Sequence, residues 1–146
     1  MSSLTLANLT YISRDDLAAA IKASPTTPLP ANTAVIDVRD GDHIGGHIRG
    51  STWVPSSQLD YKTPDLIRTL RDKEVVVFHC ALSQQRGPSA ALRYLRERER
   101  LIGGGGEGKE GKEQKVLVLR GGFGEWQEKY GEDERLTEGF QKDLWE

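Results

Sequence analysis

Val75-Val76-Val77-Phe78 is an unbroken apolar run, and it constrains the fold more than any other stretch of the chain. A strand with one wet face alternates apolar and polar residues. A strand without alternation buries both faces, and such strands belong to parallel sheets covered by helices. Thr33-Ala34-Val35-Ile36-Asp37-Val38 and Val116-Leu117-Val118-Leu119 read as two further strands. Helical patterns fall between them. Strand and helix in alternation predict an α/β fold, a parallel sheet with helices on both faces. A length of 146 residues suits one domain.

The helices announce themselves by their ends. Ser13 is a cap for Arg14-Asp15-Asp16, and Leu17, Ala18, Ala20 and Ile21 supply an apolar side. Three prolines between Ser24 and Pro30 stop that helix. The stretch from Arg39 to Ser51 is Gly-rich and polar, hence loop. Thr63-Pro64 reads as a cap and first-turn proline before Leu66, Ile67 and Leu70. A helix from about Pro88 to Leu101 buries Ala91, Leu92 and Leu95, while Arg93, Arg96, Glu97, Arg98 and Arg100 face water. Residues 102–115 are Gly, Glu and Lys with almost nothing to bury, a flexible surface loop inside the domain. A last helix spans about Gly124 to Tyr130, followed by a polar tail ending in Leu144-Trp145.

Charge excludes some functions. The formal net charge is -2, so no global field recruits nucleic acid or an anionic membrane. No apolar run approaches a membrane span, and the first residues lack a secretory pattern. A single cysteine, Cys80, rules out an internal disulfide and points to a cytoplasmic setting, with a nuclear one also compatible. Any chemistry that oxidises Cys80 needs an external thiol to reset it.

In parallel sheets the reactive groups sit at the carboxyl ends of the strands. Here those ends are Asp37 onward, His79-Cys80 onward and Arg120 onward. In the second, Ala81, Leu82, Ser83, Gln84 and Gln85 separate Cys80 from Arg86, and a helix follows. A loop of that length can turn its backbone N–H groups inward. With the helix N-terminus they make an anion nest for a tetrahedral dianion such as phosphate or arsenate. The same setting favours thiolate over thiol. Arg86 offers a planar fork to two oxygens of the anion, and the Ser83 hydroxyl is placed to donate to the sulfur.

The string HCALSQQRGP resembles the active-site loop of the rhodanese-fold cysteine phosphatases and arsenate reductases, among them the cell-division-cycle tyrosine phosphatases and small plant and fungal arsenate reductases. Val35-Ile36-Asp37-Val38-Arg39 with Gly45 to Ser51, and Leu119 to Phe123 with Trp126, resemble the two flanking signatures of that fold. The resemblance covers roughly residues 9 to 130. It implies one rhodanese-like domain with Cys80 as nucleophile, the 81–86 loop as oxyanion site and Ser83 as helper. It implies no bound cofactor; an arsenate reductase would draw on glutathione, with glutaredoxin as partner, and a phosphatase on water. Sulfurtransferases of this fold usually carry a loop one residue shorter, which disfavours that alternative. A non-catalytic phosphoprotein-binding module would not need the thiol. One departure stands out: the cell-cycle phosphatases typically carry an acid before the loop arginine, and here that residue is Gln85.

The remaining candidates read as structural. His79 points into the scaffold, and Asp37 binds loop backbone or Arg39. His43 and His47 lie four apart, but no cysteine or acid cluster joins them as a metal set. Trp53, Trp126 and Trp145 are packing residues, and Gly121-Gly122 allow close backbone approach or a positive φ.

Overall fold

A computed structural model describes residues 4–24, 27–103 and 114–145. Most of the Gly/Glu/Lys segment, residues 104–113, lies outside the described residues. The elements in chain order are β1 (Thr10–Ile12), α1 (Arg14–Lys22), β2 (Thr33–Asp37), β3 (His47–Ile48), β4 (Thr52–Trp53), α2 (Leu59–Thr69), β5 (Val75–His79), α3 (Arg86–Arg98), β6 (Lys115–Leu119), α4 (Gly122–Tyr130) and β7 (Thr137–Glu138).

Five strands form one sheet in the order β1-β6-β5-β2-β4, every pair parallel. β5 lies at its centre, and its side chains divide between the two faces. Val76 and Phe78 enter a cluster with Leu59, Ile67, Ala90, Ala91 and Tyr94 of α2 and α3. Val77 points the other way, into a cluster with Leu17, Ala18 and Ile21 of α1 and Phe123 and Trp126 of α4. That division is why the run from Val75 to Phe78 has no polar member.

Several details depart from the sequence reading, and the edge strand β1 was not part of it. Ala20 is exposed, so α1 buries Leu17, Ala18 and Ile21 only. α2 starts at Leu59, because burying Leu59 draws the first turn into the core. Thr63 is therefore mid-helix, where its hydroxyl donates to the Leu59 carbonyl at 2.7 Å, and Pro64 lies inside the helix. α3 begins at Arg86, two residues before Pro88. The 39–51 stretch and the tail are also more ordered than loops. β3 pairs antiparallel with β7, and the Trp145 indole N–H donates to the Gly45 carbonyl at 3.0 Å while its ring packs on Phe123. Among the described residues no helix is long and apolar enough to cross a membrane.

Candidate active site

Cys80 follows the last residue of β5, at the carboxyl edge of the sheet, and is 3% exposed. Its Sγ accepts from two backbone N–H groups, Ser83 at 3.2 Å and Gly87 at 3.3 Å. Gly87 is the second residue of α3, so the helix N-terminus does face the sulfur. Ser83 reaches it through a left-handed backbone, φ 56°. That conformation corrects the expected role of the Ser83 hydroxyl. The backbone N–H, not the hydroxyl, approaches Sγ, and the hydroxyl accepts from the Cys80 N–H at 3.4 Å.

The loop is pinned from behind by α4. The N–H groups of Phe123 and Gly124 donate to the carbonyls of Cys80 and Ala81 at 3.0 and 2.7 Å. In a trans peptide the N–H points opposite to its carbonyl, so the amides of Ala81 and Leu82 face away from α4. Gly122 makes this approach possible. It has φ 60°, and a Cβ there would lie 2.5 Å from both carbonyl oxygens. The amides of Leu82, Gln84 and Gln85 find no acceptor among the described residues. Gln84 and Gln85 are exposed, as is Leu82.

Arg86 is turned differently from the sequence reading. Its guanidinium grips Asp42 in a two-pronged pair of 2.8 and 2.6 Å and touches Asp40 at 3.3 Å. Both acids lie beyond the carboxyl end of β2, and sequence reading missed them. The available signal was an Asp-x-Asp placed just after a strand of a parallel sheet. Asp40 is held in turn by the Ser56 hydroxyl at 2.5 Å and the Ser57 N–H at 3.0 Å, and Asp42 accepts from the Asp40 N–H at 2.9 Å. Hydrogen bonding from Arg86 holds the Asp42 carboxyl down to about 2, and the same contact raises Arg86 further.

Asp37 and Arg39 form a fully buried pair beneath this loop. Arg39 Nη2 donates to Asp37 at 2.8 Å and to the Gly46 carbonyl at 2.9 Å, and its guanidinium lies 4.5 Å over the Phe123 ring. His79 is wholly buried, with Nδ1 3.1 Å from the Cys80 carbonyl and Nε2 3.8 Å from Asp37. His43 stacks on Trp53 and His47 meets Glu138 at 3.1 Å.

Residues 13–129 match the family model of the rhodanese-like domain. A CDC25-like phosphatase of Saccharomyces cerevisiae is 36% identical over 156 residues, covering 99% of this chain and 99% of the relative. An arsenate reductase of Oryza sativa subsp. japonica is 35% identical over 124 residues, 82% of this chain and 68% of the relative. The solved structure of a yeast protein tyrosine phosphatase of the rhodanese family superposes with a TM-score of 0.75 at 36% identity, covering 99% of this chain and 100% of that one. With its five parallel strands and a cysteine loop at the tip of the central one, this chain belongs to the rhodanese-like domain family.

Proposed function

We propose that the chain is a cysteine-dependent enzyme acting on tetrahedral oxyanions, with Cys80 as nucleophile, the 81–86 amides as oxyanion site and Arg86 as the guanidinium that engages the anion. The observation that carries this is the Cys80 sulfur beneath two backbone N–H groups while neighbouring loop amides have no acceptor among the described residues. The printed names of the relatives, a phosphatase and an arsenate reductase, both fit a thiolate attacking such an anion.

With arsenate, the Cys80 thiolate bonds to arsenic and an oxygen leaves as hydroxide, to be protonated to water. A glutathione thiolate then attacks Sγ. The S–S bond forms as the S–As bond breaks, and its electron pair reduces As(V) to As(III). A second thiol, from glutathione or glutaredoxin, clears the mixed disulfide, since the chain has one cysteine. A cytoplasmic setting rich in glutathione fits that need. With a phosphomonoester, Cys80 takes the phosphoryl group, the alkoxide or phenoxide leaves, and water hydrolyses the phosphocysteine. Gln85 supplies no proton to a poor leaving group, which favours arsenate and aryl phosphates over alkyl phosphates.

The test is a side-by-side assay of the purified protein, on arsenate with glutathione and glutaredoxin and on an aryl phosphate. Turnover is expected in at least one arm, and Cys80→Ser is expected to abolish it with the fold intact. Substantial turnover by Cys80→Ser removes the thiolate from the mechanism.

A further inference from the structure

Arg86 meets a carboxylate with the same two-pronged geometry it would offer an oxyanion. The carboxylate is not a passing neighbour. Asp42 is fixed by the Asp40 N–H, and Asp40 is fixed by Ser56 and Ser57 of the segment leading into α2. The acids are built into the frame, whereas Arg86 reaches them on a long side chain from the first residue of α3. One fork cannot hold both partners. When an anion takes the guanidinium, the arginine leaves and the acid stays.

We propose that Asp42 is an internal competitor for Arg86, so that every anion bound through Arg86 must first displace this carboxylate. The proposal rests on the reading that the Cys80–Arg86 loop is an oxyanion site. Two observations make the displacement feasible. The side chains of Arg86 and Asp42 are 33% and 43% exposed, so water screens the pair. Exposed pairs of this kind are broken at modest cost, which sets the expected effect at about two- to fivefold in anion affinity. The effect is a competent fraction below one: apparent affinity equals intrinsic affinity times the fraction of molecules whose Arg86 is free. It therefore lowers affinity for every anion that uses Arg86, monoanion and dianion alike. A mere background field from Asp42 would behave differently, weakening dianions more than monoanions.

The experiment follows the arginine side-chain and loop amide signals of the whole chain by nitrogen-15 NMR during titration with sulfate, a tetrahedral dianion, and perchlorate, a tetrahedral monoanion. Asp42→Asn is expected to bind both more tightly than the unaltered protein, perchlorate by about two- to fivefold and sulfate by at least as much. Unchanged or weaker sulfate binding in Asp42→Asn, with the loop amides still responding, overturns the competition and leaves the oxyanion site standing. A gain confined to sulfate also overturns it, in favour of a field effect. If neither loop amides nor Arg86 respond to either anion in either protein, the oxyanion reading falls and the competition with it. A second measurement needs no variant. In the unaltered protein, saturating sulfate is expected to raise the titration midpoint of the Asp42 carboxyl carbon, since its partner has left. An unmoved midpoint at saturation overturns the proposal.

Discussion

Gln85 sits immediately before Arg86, is exposed, and is the N-cap residue of α3, its carbonyl accepting from the Ser89 N–H at 2.9 Å. Its side chain is free to be changed without touching the core. Gln85→Glu is therefore a clean way to ask what limits ester cleavage. An alkoxide needs a proton as it leaves, and general acid catalysis is worth roughly 10²–10⁴-fold where it operates. Gln85→Glu is expected to raise the rate on alkyl phosphates while barely changing that on an aryl phosphate with strongly electron-withdrawing groups. Arsenate turnover should not improve, because a further negative charge near the loop opposes dianion binding. Steady-state rates on the two ester classes check this, and an unchanged alkyl-to-aryl ratio means that position 85 does not face the leaving group. The arginine next to it is tested by Arg86→Lys, which keeps the charge and loses the fork. Anion affinity and kcat/KM should both fall, and a variant that performs like the unaltered protein would show that the fork is not used.

The elements meet at backbone contacts that fix the loop, and these give predictions of a different kind. At Gly122 a methyl group would enter the space of two carbonyl oxygens at 2.5 Å, on a residue with φ 60°. Backbone strain of that sort costs about 1–3 kcal/mol before the clash is counted. Gly122→Ala should lower both the melting temperature and kcat/KM, since the carbonyls displaced are those of Cys80 and Ala81. Ser13→Ala is the control: it removes the cap that accepts from the Asp16 N–H at 3.0 Å, costs about 1 kcal/mol, and should leave kcat/KM alone. Equal effects of the two variants on kcat/KM would refute the pinning role of α4. What was legible in the sequence follows the same division. β2, β5, β6 and the capped start of α1 are written in local pattern. The start of α2 was misread because Thr63-Pro64 imitates a cap, while the real signal was one leucine, Leu59, that had to be buried. β3 and β7 are two residues each, too short to carry a period, and each is paired by a segment far away in the chain. Spacing alone put Cys80 at a strand tip ahead of a helix. It could not say that Arg86 would face Asp42, because a contact 44 positions away leaves no local trace.

For the molecule as a whole, His79 couples stability to pH. It is completely buried, and burial pushes its imidazole below the ordinary value despite Asp37 nearby. A neutral histidine in the fold and an ordinary one in the unfolded chain mean that the unfolded state binds more protons as pH falls below about 6.5. The stability from His79 is thus present above that value and is lost on acidification toward the folded one. Thermal melts from pH 7.5 to 5.5 should show a decline that His79→Gln flattens; equal slopes in both proteins would dismiss the histidine. The pairing of β3 with β7 acts on another axis, that of time. His47 and Glu138 are 91 positions apart, and Gly45 waits for Gln141 and Trp145 to bind its carbonyl. Synthesis runs from the N-terminus, so the ribosome delivers Cys80 and its loop well before the residues that bind Gly45, His47, Ile48 and Arg49. Contacts this distant in sequence close late and slowly. A nascent chain halted before Leu136 would already carry the thiol together with β5, α3 and α4, while the 45–49 segment still lacked its partners.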